Sequence, residues 1–242
     1  MTNNGKNAVI TGASRGLGLA LARGLAASGW SLVIDARHGQ ALDVAAASIR
    51  QAAGTAAISV TALAGDITDP GHRAALAAAA EDLGGPDLLI NNAGTLGASP
   101  LPALSDYPIT GLREAFEVNV LAPIALTQLM LPALRRRGGA VLSVTSDAAV
   151  EPYAGWGGYG AAKAALEQAS NVLAAEENVV RVWWVDPGDL RTAMHQAAFP
   201  GEDITDRPLP ESVVPALRHL ISERYPSGRY RAAELMPSGV RS

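Results

Sequence analysis

The sequence predicts an α/β fold in which a doubly wound parallel sheet of about seven strands carries helices on both faces. The first observation is a regular alternation of short β-type runs with longer alanine-rich helical stretches. The second is a glycine-rich turn, Gly12 to Gly18, close behind the first apolar run. The third is that the 242 residues contain no linker, repeat or low-complexity segment, which predicts one domain over residues 1–242.

The predicted strands are short apolar runs, and the predicted helices are the stretches between them. Asp69 and Pro70 support the start of the predicted helix 70–83, because Asp is a good N-cap residue and Pro suits the first helical position. Pro123 and Pro132 are expected to kink the longest helix. The predicted strands are 7–11, 31–35, 57–63, 87–91, 140–144, 179–185 and 227–231, and the predicted helices are 16–28, 40–53, 70–83, 109–136 and 156–177. The segment 189–211 is rich in Pro, Asp and Gly and is expected to be a mobile loop with little regular structure.

Composition excludes several classes of function. The net charge of −4 and the lack of a basic stripe argue against nucleic-acid binding. The chain has no cysteine and only four scattered histidines, so neither a disulfide framework nor a metal site is expected. The first residues lack the apolar core of a signal peptide, and no apolar run is long enough to span a bilayer. The sequence therefore predicts a cytoplasmic protein with no membrane partner.

The pair Tyr159 and Lys163 indicates catalysis most directly. Residues four apart lie on one face of a helix, so the phenol and the ammonium can serve one site. A nearby ammonium favours the phenolate and lowers the pKa of a tyrosine, which lets the tyrosine exchange a proton with a substrate oxygen. Ser146 follows the predicted strand 140–144, and its hydroxyl can hold that same oxygen.

Three turns at predicted strand ends are typical of nucleotide binding. Glycines 12, 16 and 18 allow a tight turn and a close backbone approach to a pyrophosphate, which then faces a helix N-terminus. Asp66 can accept from an adenine amine, or be an exposed residue before a turn. The run 91–94, Asn-Asn-Ala-Gly, can pass beside a nucleotide, or be ordinary turn chemistry. Asn119, inside the longest predicted helix, is expected to hold a backbone bend or a water.

In combination these motifs resemble the classical short-chain dehydrogenase/reductase family. The resemblance covers about residues 6–192 and implies a Rossmann-type fold. The motifs stand in the family's order and at its spacing: Thr11-Gly12-x-x-x-Gly16-x-Gly18, Asp66, Asn91-Asn92-Ala93-Gly94, Asn119, Ser146, Tyr159-x-x-x-Lys163 and Pro187-Gly188.

The resemblance assigns a role to each of these residues. It implies that Tyr159 is the general acid/base, and that Lys163 lowers its pKa and binds the nicotinamide ribose. Ser146 is then expected to orient the carbonyl or alcohol, and Asn119 to hold a water in a proton relay. The implied cofactor-binding residues are Gly12, Ser14, Arg15, Gly16, Leu17, Gly18, Arg37, Asp66, Ile67, Asn92, Ala93, Gly94, Tyr159, Lys163, Pro187, Gly188 and Thr192, of which Pro187, Gly188 and Thr192 are expected at the nicotinamide carboxamide.

The end of the second predicted strand indicates the cofactor. In families of this kind an acidic residue there favours NAD, but Ala36 occupies the place and Arg37 follows. Asp35 falls one residue earlier and is expected on the other side of the strand. Arg15 adds a second cation, and two guanidiniums suit a 2′-phosphate. We therefore predict a preference for NADP(H), with NAD(H) possible; the alternative is that Arg15 and Arg37 are solvated surface residues.

The substrate is indicated only in outline. The segment 189–211 is expected to be a substrate loop, and aromatic residues beside the motifs favour an apolar ketone, aldehyde or polyketide-like compound. His195 is expected to be a loop residue of the pocket rather than a catalyst. The candidate pocket residues are Ser146, Asp147, Tyr153, Trp156, His195 and Phe199.

The predicted function is an NADP(H)-dependent oxidoreductase that interconverts a carbonyl and an alcohol. Two alternatives stay open: an enzyme of the same fold with dehydratase, epimerase or cyclase chemistry, and a dinucleotide-binding redox sensor without turnover. The expected partners are a small-molecule substrate and a second copy of the chain. The family's common Asp-Gly-Gly ending is missing, which weakens the expectation of a homotetramer and leaves a homodimer through helices 112–136 and 156–177.

Overall fold

The computed structural model describes residues 5–235, so the first four and last seven positions of the predicted domain lie outside the described residues. Seven parallel strands form one sheet in the order β3-β2-β1-β4-β5-β6-β7, as the fold prediction expects. The strands are β1 (Asn7–Ile10), β2 (Ser31–Ala36), β3 (Val60–Ala64), β4 (Leu88–Asn91), β5 (Ala140–Val144), β6 (Arg181–Asp186) and β7 (Gly228–Arg231). The helices are α1 (Gly16–Ala26), α2 (Gly39–Ala52), α3 (Pro70–Asp82), α4 (Ile109–Phe116), α5 (Ala122–Arg137), α6 (Gly157–Glu176), α7 (Ala193–Ala198) and α8 (Val214–Glu223).

The strands lie between two helical layers because both of their faces are apolar. Successive side chains of a strand point to opposite faces. In β1, Ile10 packs into the core shared with Leu21 of α1, whereas Val9 packs into the opposite core with Leu76 of α3 and Leu126 of α5. Burial on both faces is typical of a parallel sheet covered by crossover helices. This arrangement leaves the carboxyl ends of the strands open for a site.

The longest predicted helix is interrupted near its middle. Residues 117–121 form a π-helical segment between α4 and α5, and Asn119 lies within it, fully buried. Neither predicted proline site marks this break, since Pro123 lies in the first turn of α5 and Pro132 inside that helix. π-helical turns inside α-helices often mark functional positions. Asn119 thus lies at a backbone irregularity, as expected, and Pro123 follows that irregular segment by two residues.

The expectation of little regular structure over 189–211 is wrong for part of the segment. Residues 193–198 form helix α7, because the Thr192 hydroxyl accepts from the His195 amide at 3.1 Å and caps the helix N-terminus. A 3₁₀ turn, Pro210–Val213, then leads into α8, which lies outside the predicted elements. The last predicted strand is present as β7 and pairs with β6.

The expectation that no apolar run is long enough to span a bilayer is wrong by length and composition, because one helical stretch passes that test. It covers Ile109–Arg137, the run of α4, the π-helical segment and α5, and half of its apolar window is buried inside the fold. Leu126, Met130 and Leu134 of α5 pack against β1, β4 and β5 side chains in the core. The apolar character of this stretch therefore matches its contacts with the sheet.

Candidate active site

A cavity of about 410 Å³ lies at the carboxyl ends of the strands. The turns that follow β1, β2, β3, β4, β5 and β6 all contribute to its lining. It lies across the ends of β1 and β4, the paired strands at which the strand order reverses along the sheet. In open α/β sheets this switch point is the usual place for a ligand. The fold alone thus brings the predicted glycine loop and the predicted catalytic residues to one edge.

The glycine loop is packed against the turn after β4. Gly12 has a φ of +67°, and a Cβ placed on it would lie 2.9 Å from the Ala93 Cα atom. The Thr11 hydroxyl accepts from the amides of Asn92 and Ala93, both at 3.0 Å. The Asn92 side chain in turn donates to the Thr11 carbonyl at 2.8 Å. These bonds hold together two predicted nucleotide-binding motifs that are about eighty residues apart in the chain.

Gly18 does not line the cavity. A Cβ on Gly18 would lie 2.5 Å from both the Asn92 Nδ2 atom and the Gly12 carbonyl oxygen. Its missing side chain therefore allows α1 to approach the loop, and its contribution to a nucleotide site is through packing. All the other predicted cofactor-binding residues line the cavity: Gly12, Ser14, Arg15, Gly16, Leu17, Arg37, Asp66, Ile67, Asn92, Ala93, Gly94, Tyr159, Lys163, Pro187, Gly188 and Thr192.

Asp35 has a role that the sequence did not indicate. Its side chain is buried, and Oδ1 accepts from the Gly12 amide at 2.7 Å. Its other oxygen lies 3.1 Å from His72 Nε2 of α3. Asp35 therefore lies between the glycine loop and α3, and each of its carboxylate oxygens has one of these partners. Asp35 also lines the cavity, together with the neighbouring Ala36, Arg37 and His38, so its expected place away from the site is not what the structure shows.

Two cations lie at the end of the cavity that the glycine loop and the turn after β2 form. Arg15 and Arg37 are both exposed and both line it. Asp66, on the turn after β3, also lines the cavity. The pKa of its carboxyl is lowered, first by the Thr68 backbone amide at 2.9 Å and then by the Thr68 hydroxyl, with Arg37 contributing. Asp66 is thus held ionised at the place where the sequence predicts an adenine contact.

Ser146, Tyr159 and Lys163 meet at the other end of the cavity. Tyr159 and Lys163 are buried on the first turns of α6, and Ser146 follows β5. The Lys163 Nζ atom lies 5.6 Å from the centre of the Tyr159 ring and donates to the Val144 carbonyl at 2.8 Å. All three residues line the cavity, as the sequence predicts.

The pKa of Tyr159 is raised above its ordinary value, contrary to the expected lowering by Lys163. Burial of the phenol is the main cause, and the carboxylates of Asp147 and Asp186 add to it. The Ser146 hydroxyl acts in the opposite direction. Tyr159 therefore holds its proton at neutral pH in this structure, although a raised pKa also makes the phenol a weaker acid.

Burial lowers the pKa of the Lys163 ammonium to about 8, from an ordinary value of 10.5. Between these two values the unfolded chain binds more protons than the folded one, so stability rises with pH across that window. Below it, the folded protein bears the full cost of the buried ammonium, about 3 kcal/mol. We predict that Lys163→Met exceeds the wild type in stability by roughly this amount at about pH 7, and that the gap narrows toward about pH 10.

Urea unfolding of the cofactor-free protein over that pH range measures this gap. Comparison with the variant cancels the contributions of all other titrating groups. Lys6→Met is the control, because Lys6 is exposed and stacks over Trp30 at 5.3 Å. A stability difference between wild type and Lys163→Met that does not change with pH contradicts the prediction.

Asn119 does not line the cavity but secures one of its walls. Its Nδ2 atom donates to the Thr95 carbonyl at 2.8 Å, and its Oδ1 atom accepts from the Thr95 amide at 3.0 Å. The side chain thus fixes the segment after β4, of which Thr95 and Leu96 line the cavity. The role of holding a water in a proton relay stays a prediction.

An aromatic wall stands beside Tyr159. The Trp156 ring lies 5.7 Å from the Tyr159 ring and 5.9 Å from the Phe199 ring, which lies 5.0 Å from His195. Ser146, Asp147, Trp156 and His195 line the cavity, whereas Tyr153 and Phe199 support it from behind. Tyr153 does so by donating to Asp147 at 2.9 Å. Met194 and Leu190 also line the cavity, although no sequence motif marks them.

The strand end that carries Ser146 is held by a half-buried polar network. Glu167 Oε1, one helical turn beyond Lys163, accepts from the Thr145 hydroxyl at 2.8 Å and from Arg229 Nε at 2.9 Å. Arg229, on β7, also donates to the Ser146 carbonyl at 3.3 Å and lies 3.9 Å from Asp186. The network connects β5, α6, β6 and β7 directly beneath the predicted catalytic serine.

The parallel sheet, with a glycine turn at its switch point, is that of a Rossmann-type fold, in which ligands bind at this edge. The chain belongs to the short-chain dehydrogenase family, whose model matches residues 6–203. The resemblance predicted from the motifs is thereby confirmed, and so is the assignment as an oxidoreductase.

Known relatives agree in sequence and in structure. The chain is 35% identical over 190 residues to serine 3-dehydrogenase of Agrobacterium fabrum, covering 76% of this chain and 72% of that protein. It is 35% identical over 193 residues to 7alpha-hydroxysteroid dehydrogenase of Escherichia coli K12, with 78% and 72% covered. A short-chain dehydrogenase of Shigella flexneri, solved in complex with NADP, superimposes with a TM-score of 0.87 at 27% identity, covering 96% of this chain and 98% of that one.

Proposed function

We propose that the protein is an NADP(H)-dependent oxidoreductase that interconverts a carbonyl compound and an alcohol by hydride transfer. The observation that carries this proposal is one cavity with the glycine loop at one end and Ser146, Tyr159 and Lys163 at the other. A nucleotide whose phosphates rest on the loop can then present its reactive ring to the catalytic side chains.

The residues of the cavity fit a dinucleotide. Gly12 and Gly16 have positive φ values, and nothing but Thr192 lies near the open side of Gly16, so backbone amides can approach a pyrophosphate. When bound, the cofactor supplies the hydride or accepts it. Lys163 is buried at the level where the cofactor's ribose would meet the catalytic end, and its single contact to Val144 leaves donors for ribose hydroxyls.

The protein's own contribution is to the proton and to the orientation of the reacting oxygen. As a carbonyl accepts hydride, negative charge develops on its oxygen. Tyr159 donates its proton to that oxygen, and its raised pKa ensures that the proton is present at neutral pH. The Ser146 hydroxyl holds the same oxygen, and the buried Lys163 ammonium stabilises the phenolate that remains. In the oxidative direction the same groups act in reverse.

A preference for the phosphorylated cofactor follows from the end of β2. Arg15 and Arg37 are exposed at the cavity, whereas Asp35, which also lines it, already accepts from the Gly12 amide and lies 3.1 Å from His72 Nε2. Two exposed guanidiniums, beside an aspartate that already has hydrogen-bond partners, suit a 2′-phosphate. The structural relative from Shigella flexneri, solved with NADP, supports the same preference.

Exchanging Arg37 for aspartate tests the cofactor assignment. The substitution removes a charge-assisted bond to the 2′-phosphate and adds repulsion, so the ratio of kcat/KM for NADPH to that for NADH is expected to fall about tenfold to a hundredfold. Arg113→Asp, at an exposed position of α4 outside the cavity, is the charge-matched control. An unchanged ratio in Arg37→Asp rules out this residue as the phosphate contact.

Oxidation of NADPH against a panel of ketones, aldehydes and quinones tests the reaction itself. The aromatic wall of Trp156, Phe199 and His195 supports an apolar carbonyl substrate. Product that forms without stoichiometric consumption of cofactor would favour dehydratase, epimerase or cyclase chemistry. Tight NADPH binding without turnover of any carbonyl would favour a sensor. Activity only on small, highly charged compounds would contradict the apolar substrate class.

We further propose that the chain acts as one domain, in the cytoplasm, as a homodimer. Leu121 at the end of the π-helical segment, Leu129 of α5 and Val172 of α6 are large apolar side chains about half exposed, at 52%, 48% and 45%. Burial against a second copy would remove this surface from water. Equilibrium sedimentation measures the stoichiometry, and a monomer at micromolar concentration would contradict the proposal.

A further inference from the structure

Asp147 stands directly beside the reacting groups, yet the reaction proposed above gives it no role. It is the first residue of the 3₁₀ turn after Ser146, and it lines the cavity. Its Oδ1 atom accepts from the Ser146 hydroxyl at 3.0 Å and from the Ala148 amide at 2.8 Å. Its Oδ2 atom accepts from the Tyr153 hydroxyl at 2.9 Å. Neutral donors thus surround the carboxylate.

Asp147 differs from the other two carboxylates at this end of the cavity. Asp186 lies 3.9 Å from Arg229, and Asp189 lies 3.8 Å from His195 and 3.9 Å from Arg207. Within residues 5–235, no Lys, Arg or His nitrogen lies within 4.0 Å of the Asp147 carboxylate. A half-buried carboxylate without a cation retains a strong affinity for hydrogen-bond donors.

The bond between Asp147 and Ser146 restricts the serine. A hydroxyl group has one proton. Ser146 donates this proton to Asp147 and accepts from the Ala148 amide at 3.1 Å. The same proton lowers the pKa of Tyr159 only when it is turned toward the phenol oxygen, so it serves one acceptor at a time, and while it is bonded to Asp147 none is left for a substrate oxygen. A donor from the substrate that takes the place of the serine on Asp147 would free the serine's proton for the reacting carbonyl.

We infer that Asp147 is a specificity-determining residue that binds a hydroxyl group of the substrate on the carbon next to the reacting carbonyl. The inference rests on the proposed function and narrows its substrate class to α-hydroxy ketones and the corresponding vicinal diols. The serine's Oγ atom lies 3.0 Å from Asp147 and can lie one hydrogen bond from the carbonyl oxygen. A group on the adjacent carbon is therefore within reach of the carboxylate.

The surroundings of Asp147 favour a substrate hydroxyl group over a substrate carboxylate. The carboxylate already accepts two hydroxyl protons, from Ser146 and Tyr153, so a substrate hydroxyl exchanges like for like. A substrate carboxylate at the same place would face the carboxylate of Asp147, and Asp186 and Asp189 line the same cavity. Neighbouring like charges repel, so this arrangement disfavours an anionic substituent. The aromatic wall of Trp156 and Tyr159 in the same cavity can accommodate the rest of an apolar molecule.

Four ketones on one scaffold test the inference: 2-hydroxyacetophenone, 2-methoxyacetophenone, acetophenone and benzoylformate. The methoxy compound keeps the oxygen but cannot donate. In the wild type, kcat/KM for the hydroxy ketone is expected to exceed that for the methoxy ketone by about tenfold or more, with benzoylformate the poorest substrate. Asp147→Asn should reduce this preference, and Asp147→Ala should abolish it. Glu151→Gln, which removes an exposed charge outside the cavity, should leave it unchanged.

Calorimetric binding of the same four ketones to the NADPH complex is measured beside turnover. Equal rates and equal binding of the hydroxy and methoxy ketones in the wild type overturn the inference, as does a preference that survives in Asp147→Ala. If the hydroxy ketone binds selectively through Asp147 but no NADPH is oxidised, the role of Asp147 in substrate binding is supported, and the proposed reduction of the ketone by NADPH is overturned. If the ketones bind without selection and none is reduced, both are overturned.

Discussion

Replacing Tyr159 with phenylalanine is expected to lower the rate of carbonyl reduction about a thousandfold, equivalent to about 4 kcal/mol of transition-state stabilisation. The phenylalanine ring keeps the packing against Trp156, whose ring lies 5.7 Å away, so the wall of the cavity is preserved. What disappears is the proton that neutralises the developing oxyanion. Ser146 alone would then hold the oxygen, and water would have to supply the proton.

Single-turnover oxidation of NADPH with a ketone measures the chemical step of this variant. NADPH binding, followed by calorimetry, should remain within about threefold of the wild type, because the hydroxyl contributes little of the cofactor's contact surface. Tyr230→Phe is the matched control: its hydroxyl donates to the Pro226 carbonyl at 2.8 Å, outside the cavity. If Tyr159→Phe retains more than about a tenth of the rate, another group donates the proton.

The sheet and the placement of most of the site could be predicted from the sequence. Apolar runs buried on both faces indicate strands of a parallel sheet, and such strands end at one edge. The turns at Gly12, Asp66, Asn92 and Ser146 were therefore expected to converge, and all four line one cavity. This convergence follows from topology, so it needs no knowledge of side-chain contacts.

Contacts between distant elements could not be predicted in this way. Asp35 binds the Gly12 amide, 23 residues earlier in the chain, and His72, 37 residues later. No local sequence pattern predicts such a partner. The alternation of side chains along a strand predicts only which face of the sheet Asp35 lies on, not which groups it contacts there. The pKa of Tyr159 shows the same limit. The spacing to Lys163 predicts a lowering, whereas burial and the carboxylates of Asp147 and Asp186 raise it.

Helix α7 shows how a correct composition argument can miss a short element. The Pro, Asp and Gly content of 189–211 is typical of a loop, yet Thr192 at the start of Ala193–Ala198 is a capping residue of the kind that begins helices. Six residues are too few for a periodic apolar pattern to stand out. The helix carries Met194 and His195 to the cavity, so the local cap has a consequence for the site.

Arg229→Met is expected to destabilise the protein by about 3 to 5 kcal/mol, because it leaves two carboxylates without their cation below the surface. Glu167 and Asp186 have side chains only 12% and 7% exposed, and Arg229 is the basic residue within 4.0 Å of either among residues 5–235. A surface pair behaves differently: Arg136 and Glu81 are 61% and 52% exposed, and breaking such a pair costs about 1 kcal/mol or less.

Urea unfolding of Arg229→Met, Glu167→Gln and the double variant tests this expectation. The double variant should be more stable than Arg229→Met alone, because the glutamine removes the charge that the arginine balanced. Arg231→Met, two residues along β7 and exposed, is the control for loss of a guanidinium from the same strand. A cost below about 1 kcal/mol for Arg229→Met, or a double variant less stable than it, would mean that water already screens the network. A large, coupled cost would show that β7, although at the edge of the sheet, holds the strand end from which Ser146 reaches the substrate.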